Sequence, residues 1–204
     1  MQRLAQLGLA LAIAATALPS VMAQQPAPGA PGGQVTPTAI APPPPKAAPG
    51  LPAARPGDVV SVDAIVAALY DVISGPAGAP RDWDRMRSLF APEGRMGAMV
   101  GQPDGSYVLR AMTPEDYISR NTKAFATMGF FESEKARTVE TFGQIAHVFS
   151  TYEARHAKDD AKPFIRGINS IQLIHDGKRW YVLSLIWRAE DAKLQLPERY
   201  LHNG

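Results

Sequence analysis

A histidine inside a hydrophobic strand pattern is the first candidate for chemistry in this chain. His147 lies in the middle of the stretch "QIAHVFSTYEAR", whereas the other three histidines fall in predicted loops, turns or the terminus. An imidazole can carry a proton near neutral pH, so His147 is a candidate acid–base group. A structural histidine on one face of a sheet fits the same position, and both interpretations stay open.

A second polar feature lies within residues 166–188, a stretch that predicts two strands joined by a turn at residues 176–177. Counting from that turn pairs Asn169 with Ser184 on one face, where Gly167 leaves extra room. An amide and a hydroxyl buried without partners cost about 1–3 kcal/mol, so these two groups bond each other, water or a ligand. The predicted pocket takes in this face and one tyrosine of the preceding strand: Tyr152, Asn169, Ile171, Trp180, Val182 and Ser184.

The other face of the same two strands is also apolar, which is not the pattern of a solvated sheet face. A second copy of the chain can cover it, giving a homodimer through Ile168, Leu183, Leu185 and Trp187. The alternative cover is the C-terminal tail, through Leu194, Leu196, Tyr200 and Leu201.

Four charged residues of the predicted strands complete the set of candidates. Glu132 and Glu134 fall on one strand face, and the usual exposure of glutamates predicts a solvated edge rather than an acid–base pair. Arg137 and Arg188 can hold a carboxylate or phosphate, or form salt bridges with nearby glutamates.

Several classes of site are excluded or not predicted. The chain has no cysteine, which rules out disulfides, thiol nucleophiles and cysteine metal sites. No histidine pair has metal-ligand spacing, so no metal is predicted. The motifs of nucleotide binding and of serine hydrolases are missing from the sequence, and we predict no cofactor.

Composition divides the chain into three segments. Residues 1–23 resemble a secretory signal peptide, with the 12-residue apolar run "LGLALAIAATAL" and cleavage predicted after Ala23. That run is short for a membrane-spanning helix, which needs about 20 residues. The mature protein is therefore predicted to be periplasmic or secreted, without a stable membrane anchor.

Residues 24–57 contain 11 prolines, 8 alanines and 5 glycines among 34 positions, a composition typical of a disordered linker. Residues 58–204 have the size of one domain. Outside that domain the charged residues are Arg3, Lys46 and Arg55, which leaves 18 basic and 19 acidic side chains within it. This balance predicts no nucleic-acid partner.

The elements that must position these residues follow from capping and periodicity. Helices are predicted over 61–74, 82–90 and 113–129, beginning at the caps Ser61, Asp82 and Thr113. Two short strands, near 95–102 and 106–111, precede the third helix, and four long antiparallel strands follow it. The segregation of helices and strands indicates an α+β fold.

This layout, with "RDWDRMRSLFAPEGRM" before the first strand and "DGKRWYVLSLIW" as the last strand, resembles the nuclear transport factor 2-like (NTF2-like) superfamily. Within that superfamily, the order of elements is similar to that of SnoaL-like and other small exported bacterial members. The resemblance implies a cone in which a curved antiparallel sheet wraps around three N-terminal helices, with a pocket inside. It also implies dimerisation through the convex side of the sheet.

The resemblance leaves the function open between three classes. The first is a domain that binds a small, partly apolar molecule in the cone. The second is an isomerase, cyclase or dehydratase, with His147 or Tyr70 as the acid–base group; Tyr70 matches the first-helix tyrosine of ketosteroid isomerases. The stretch "PEGRMGAMVG" has no carboxylate after Glu93, which argues against the steroid isomerase mechanism. The third is a non-catalytic association module.

Overall fold

The computed structural model describes residues 50–202. The predicted signal peptide and residues 24–49 of the predicted linker lie outside the described residues. Cleavage after Ala23 and export therefore stay predictions. Within residues 50–202, no helix is long and apolar enough to cross a membrane.

The three predicted helices begin at the predicted capping residues, and a short helix that was not predicted, Pro56–Val59, precedes them. The Ser61 hydroxyl accepts from the Ala64 N–H at 3.1 Å, and the Asp82 carboxylate accepts from Arg85. Thr113 and Asp116 form a reciprocal capping box. The helices are α1 (Pro56–Val59), α2 (Val62–Ile73), α3 (Trp83–Leu89) and α4 (Pro114–Phe125). Helix α1 thus begins two residues before the predicted domain boundary at 58, and α4 ends four residues before Gly129.

Six strands form one curved, unclosed sheet in the order β2-β1-β6-β5-β4-β3. They are β1 (Phe90–Gly101), β2 (Tyr107–Met112), β3 (Phe131–Phe142), β4 (Ile145–Arg155), β5 (Ile165–His175) and β6 (Trp180–Ala189). The predicted α+β class is confirmed. The sheet is mixed rather than wholly antiparallel, because β1 pairs with β6 in parallel.

The core lies between the inner face of the sheet and the helices α2 and α3. Ile65 and Val66 of α2 and Leu89 of α3 are fully buried, and they meet Val148 and Ile171 from the sheet. Burying such a side chain contributes about 1.5–3 kcal/mol, so this contact holds the helices inside the curve of the sheet.

The register of the β5–β6 hairpin differs from the prediction in two ways. The loop has four residues, 176–179, because the Asp176 carboxylate accepts from the N–H groups of Lys178 and Arg179 while Gly177 takes a φ of 93°. This shifts the pairing by two residues and leaves the faces unchanged. A bulge between the pairs Leu173–Val182 and Gln172–Ser184 then shifts it by one more.

A shift of one residue moves every later side chain to the other face. The predicted pair Asn169–Ser184 is therefore wrong: Asn169 lies opposite Trp187. Leu185 and Trp187, predicted on the outer face, point to the core, and Leu185 is only 8% exposed. Ile186 takes the outer position instead.

The C-terminal tail covers part of the outer face. The Thr151 hydroxyl donates to the Tyr200 carbonyl at 2.5 Å, and the Tyr200 ring lies 5.3 Å from the ring of Phe149. Tyr200 belongs to a short 3₁₀ helix, Glu198–Tyr200. These contacts are with β4, whereas the sequence suggested the tail as a cover for β5 and β6, so that coverage stays a prediction.

Arg81 is a buried cation that organises the connection after α2. It is 8% exposed and donates to the carbonyls of Ile73, Gly75 and Ala79 at 2.9, 2.6 and 2.8 Å. Its guanidinium also lies 5.0 Å from the centroid of the Phe125 ring of α4. Arg81 therefore satisfies backbone acceptors near the end of α2 and links α2 to α4.

Replacing Arg81 with methionine should lower the free energy of unfolding by about 3 kcal/mol, because the carbonyls of Ile73, Gly75 and Ala79 lose the hydrogen bonds that Arg81 donates. Arg110→Met, at an exposed position of β2, is the matched control and should change stability by less than about 0.5 kcal/mol. Urea titration of both variants measures the difference. Equal stability of the two would contradict the structural role of Arg81.

The homodimer stays a prediction, but its residues change. Leu183 and Ile186 of β6 are 37% and 39% exposed on the outer face. If a second copy covers this face, Ile186→Asp should give a folded monomer, because it places an unpaired charge in the interface. Leu185→Asp, one residue earlier, should unfold the domain instead. Light scattering measures the oligomeric state and circular dichroism shows whether each variant is folded. A dimeric Ile186→Asp variant would show that this face is not the dimer interface.

Candidate functional site

A cavity of about 240 Å³ lies between the helices and the inner face of the sheet. Eighteen residues line it, most of them apolar or aromatic: Leu69, Tyr70, Val72, Ile73, Met86, Met96, Tyr117, Asn121, Met128, Phe130, Glu132, Tyr152, Phe164, Ile165, Asn169, Ile171, Leu185 and Trp187. Phe164 is 45% exposed, so the cavity reaches the surface on its side. The polar groups inside it are tyrosine hydroxyls, two amides and one carboxyl.

Glu132 supplies that carboxyl, and the end of α2 holds it in place. The Ser74 hydroxyl donates to the Tyr70 carbonyl at 2.7 Å and accepts from the Glu132 N–H at 3.0 Å. Ser74 is the C-cap of α2, so one side chain both terminates the helix and fixes the start of β3. The prediction that Glu132 lies on a solvated edge is wrong.

A chain of hydrogen bonds runs from Glu132 across the cavity wall. The Asn169 amide donates to Glu132 Oε1 at 3.2 Å and to the Tyr70 hydroxyl at 3.1 Å. The Tyr70 hydroxyl lies 2.6 Å from the Ser150 hydroxyl, which donates to Glu134 Oε1 at 2.5 Å. Since Tyr70 accepts from Asn169 and Ser150 donates to Glu134, the Tyr70 proton points to Ser150. Every donor in the chain then has one acceptor.

Burial decides the protonation of these groups. Removal from water raises the pKa of the Glu132 carboxyl to about 7, an effect that the hydrogen bond from Asn169 partly offsets. Burial also raises the pKa of Tyr70 above its ordinary value, so its hydroxyl keeps its proton. The Glu132 carboxyl can consequently exchange a proton near neutral pH.

Two further tyrosines present hydroxyls to the cavity. Neither Tyr117 nor Tyr152 makes a side-chain hydrogen bond to any residue between 50 and 202. Burial raises the pKa of both, so both remain donors. Gly167 makes room for Tyr152, because a Cβ there would lie 2.7 Å from its hydroxyl oxygen. The cavity thus offers two uncommitted O–H donors.

The predicted pocket residues divide into two groups. Tyr152, Asn169 and Ile171 line the cavity. Ser184, Trp180 and Val182 do not, since the bulge in the hairpin turns Ser184 outward and the other two lie nearer the loop. Leu185 and Trp187 take their places.

His147 lies on the outer face, where its Nε2 is 3.0 Å from the Ser170 hydroxyl. The alternation of β4 therefore points Tyr152 inward and His147 outward. Tyr70, the other acid–base candidate, does line the cavity. Arg137 bonds Glu134 and Asp63, and Arg188 bonds Asp191, so both predicted anion-binding arginines form salt bridges outside the cavity.

Sequence reasoning missed Glu132 because its burial is a long-range effect. The stretch "FESEK" has the charge pattern of an exposed edge strand. Its first glutamate is enclosed only because α2, almost sixty residues earlier in the chain, ends against it. Within residues 50–202, no group of three acidic or histidine side chains comes together in a way that can hold a metal ion.

Comparison with known proteins finds solved structures of low sequence identity and modest structural similarity. No family model and no curated protein matches the chain. A protein of unknown function with a cystatin-like fold from Nostoc punctiforme is 10% identical with a TM-score of 0.49, over 65% of this chain and 91% of that one. An NTF2-like protein of unknown function from Silicibacter pomeroyi is 17% identical with a TM-score of 0.43, over 64% and 94%. At these values the likeness says nothing about a ligand or an activity.

The raised pKa of Glu132 predicts a pH-dependent stability. The folded carboxyl keeps its proton up to about pH 7, whereas the unfolded one loses it near 4.5, so stability should fall by up to about 3 kcal/mol as pH rises between these values. Glu132→Gln should remove this slope and keep the hydrogen bond from Asn169. Glu140→Gln, which changes an exposed carboxylate of the same strand, should retain the slope. Urea titrations across this range decide, and an unchanged slope in Glu132→Gln would contradict the assignment.

Proposed function

We propose that this NTF2-like domain binds a small, mainly apolar molecule inside the cone. The observation that carries the proposal is a cavity with apolar walls in which the hydrogen-bonding groups lie together. Glu132, Asn169 and the tyrosine hydroxyls form this polar end, and Met86, Met96 and Leu185 belong to the apolar wall. Sites for small ligands typically combine apolar walls with a few polar groups that orient the ligand.

The size of the cavity limits the ligand. Its volume of about 240 Å³ lies just below the usual range for drug-sized ligands, about 300–1,000 Å³. Water occupies about 30 Å³ per molecule in the liquid, so the space exceeds that of a few waters. The open space also favours a binding domain over an association module whose pocket is filled by side chains.

Native mass spectrometry of the full chain from its own host should detect a reproducible small-molecule adduct. Asn169→Leu should lose the adduct, because it removes the amide that holds Glu132 and Tyr70. Ser170→Ala, the neighbouring outward position, is the matched control and should keep it. An adduct of unchanged abundance in Asn169→Leu would place the ligand outside this cavity.

A second candidate function, an enzyme that transfers protons, is favoured by one observation. A carboxyl whose pKa lies near 7 in an apolar cavity has the properties of a general base or acid. In this version Glu132 replaces His147 and Tyr70 as the acid–base group. The hydroxyls of Tyr117 and Tyr152 would stabilise negative charge that develops on a substrate oxygen.

Deuterium exchange tests this second function. We expect the chain to catalyse exchange at carbon atoms next to the carbonyl in a panel of small apolar ketones, followed by NMR. Glu132→Gln should lower the rate by at least about a hundredfold, since it removes the base, while His147→Ala should leave it unchanged. Loss of exchange in His147→Ala alone would instead restore the histidine as the acid–base group.

A further inference from the structure

We propose that the ligand of this cavity is an organic ammonium ion, that is, a small amine or quaternary ammonium compound with an apolar body. The inference rests on the proposed binding function and specifies the class of ligand. Two features carry it: the charge of the cavity and its aromatic lining.

When Glu132 is ionised, the charge of the cavity is negative and no residue of its lining compensates it. Glu132 is the single charged residue among the eighteen that line it, and no lysine, arginine or histidine is among them. The hydrogen-bond partner of its carboxylate is a neutral amide, Asn169. Buried carboxylates are ordinarily paired with a cation, because an isolated one is costly to remove from water. A cationic ligand supplies the partner that the protein does not, and the same charge disfavours an anion.

The nearby cations of the protein lie outside the cavity. Arg155 and Lys158 border a separate cleft that Glu132 also reaches. The Arg155 guanidinium bonds Glu153 at 2.9 Å and the Asp160 carbonyl at 3.0 Å. Arg81 is held by backbone carbonyls beside α2. The position inside the cavity next to Glu132 is therefore left to a ligand.

The lining of the cavity is aromatic on several sides. Its six aromatic residues are Tyr70, Tyr117, Phe130, Tyr152, Phe164 and Trp187. Tyr117 and Trp187 meet edge to face with ring centroids 6.2 Å apart, and Phe130 and Phe164 do so at 6.1 Å. Ring faces attract alkylammonium groups, and cages of aromatic side chains recognise quaternary ammonium ligands in this way. The rings and the carboxylate thus favour the same kind of head group.

The hydroxyls of Tyr117 and Tyr152, which bond no residue between 50 and 202, add a place for a hydroxyl or carbonyl group on the body of the ligand. The apolar residues around them accept the hydrocarbon part. An ammonium head with a short, partly apolar body therefore fits both the volume of about 240 Å³ and the distribution of polar groups.

Matched pairs of ligands test the inference on the full chain. The probes are benzyltrimethylammonium and choline, each compared with its carbon isostere, in which a quaternary carbon replaces the nitrogen. Shape and volume are nearly equal within a pair, so the difference in Kd reports the charge. Calorimetry and the quenching of tryptophan fluorescence give Kd for the wild type, Glu132→Gln and the control Glu140→Gln.

We expect at least one cation to bind about tenfold or more tightly than its isostere. Glu132→Gln should abolish that preference without weakening the isostere, and Glu140→Gln should keep it. Circular dichroism verifies that both variants are folded.

Three results overturn the inference. Equal affinity for the cation and its isostere would be compatible with the proposed binding function, but it would exclude ammonium ions as the preferred class of ligand. A preference for the cation that survives in Glu132→Gln would show that the Glu132 carboxylate does not recognise the positive charge of the ligand. If neither member of either pair binds, the ammonium class falls, and the search for a ligand by native mass spectrometry decides separately whether the binding function stands.

Discussion

A buried carboxyl that has a neutral amide as its hydrogen-bond partner is the constraint on which the candidate site depends. Enclosing Glu132 in an apolar cavity raises its pKa toward neutrality, and its environment must hold either the protonated or the charged form. The Asn169 amide can donate to both forms, because a protonated carboxyl keeps an accepting oxygen. The site therefore tolerates a change of charge without a change in its hydrogen-bonded frame.

The frame around Glu132 is built from elements far apart in the chain. Ser74 joins the end of α2 to the start of β3, and Asn169 on β5 joins Glu132 to Tyr70 on α2. Ser150 on β4 extends the chain of bonds to Glu134. Because groups from α2, β3, β4 and β5 all take part, the position of the carboxyl is fixed by the assembled fold and by no single segment. Displacement of α2 would break three of these hydrogen bonds at once.

Local signals predicted the helices well and the site poorly, for a physical reason. Ser61, Asp82 and Thr113 cap helices through contacts within three residues, so the sequence alone contains the information. The register of β6 depends on a bulge in a strand that pairs with β5 on one side and, in parallel, with β1 on the other. That one-residue shift moved Trp187 into the cavity and Ser184 out of the predicted pocket. Asn169 was identified because its polarity stands out within a buried strand, whereas Glu132 resembles any exposed glutamate until α2 covers it.

An open cavity and a buried carboxyl both lower stability, and without cysteine the chain has no disulfide to offset them. Packing must therefore compensate elsewhere. Arg81 satisfies the carbonyls after α2 and contacts α4, on the same side of the sheet as the cavity. A ligand that binds the folded state alone would add stability in proportion to its concentration and affinity. An ammonium ion would do so most strongly where Glu132 is ionised, since it would pair the one charge that the lining of the cavity leaves without a counter-ion.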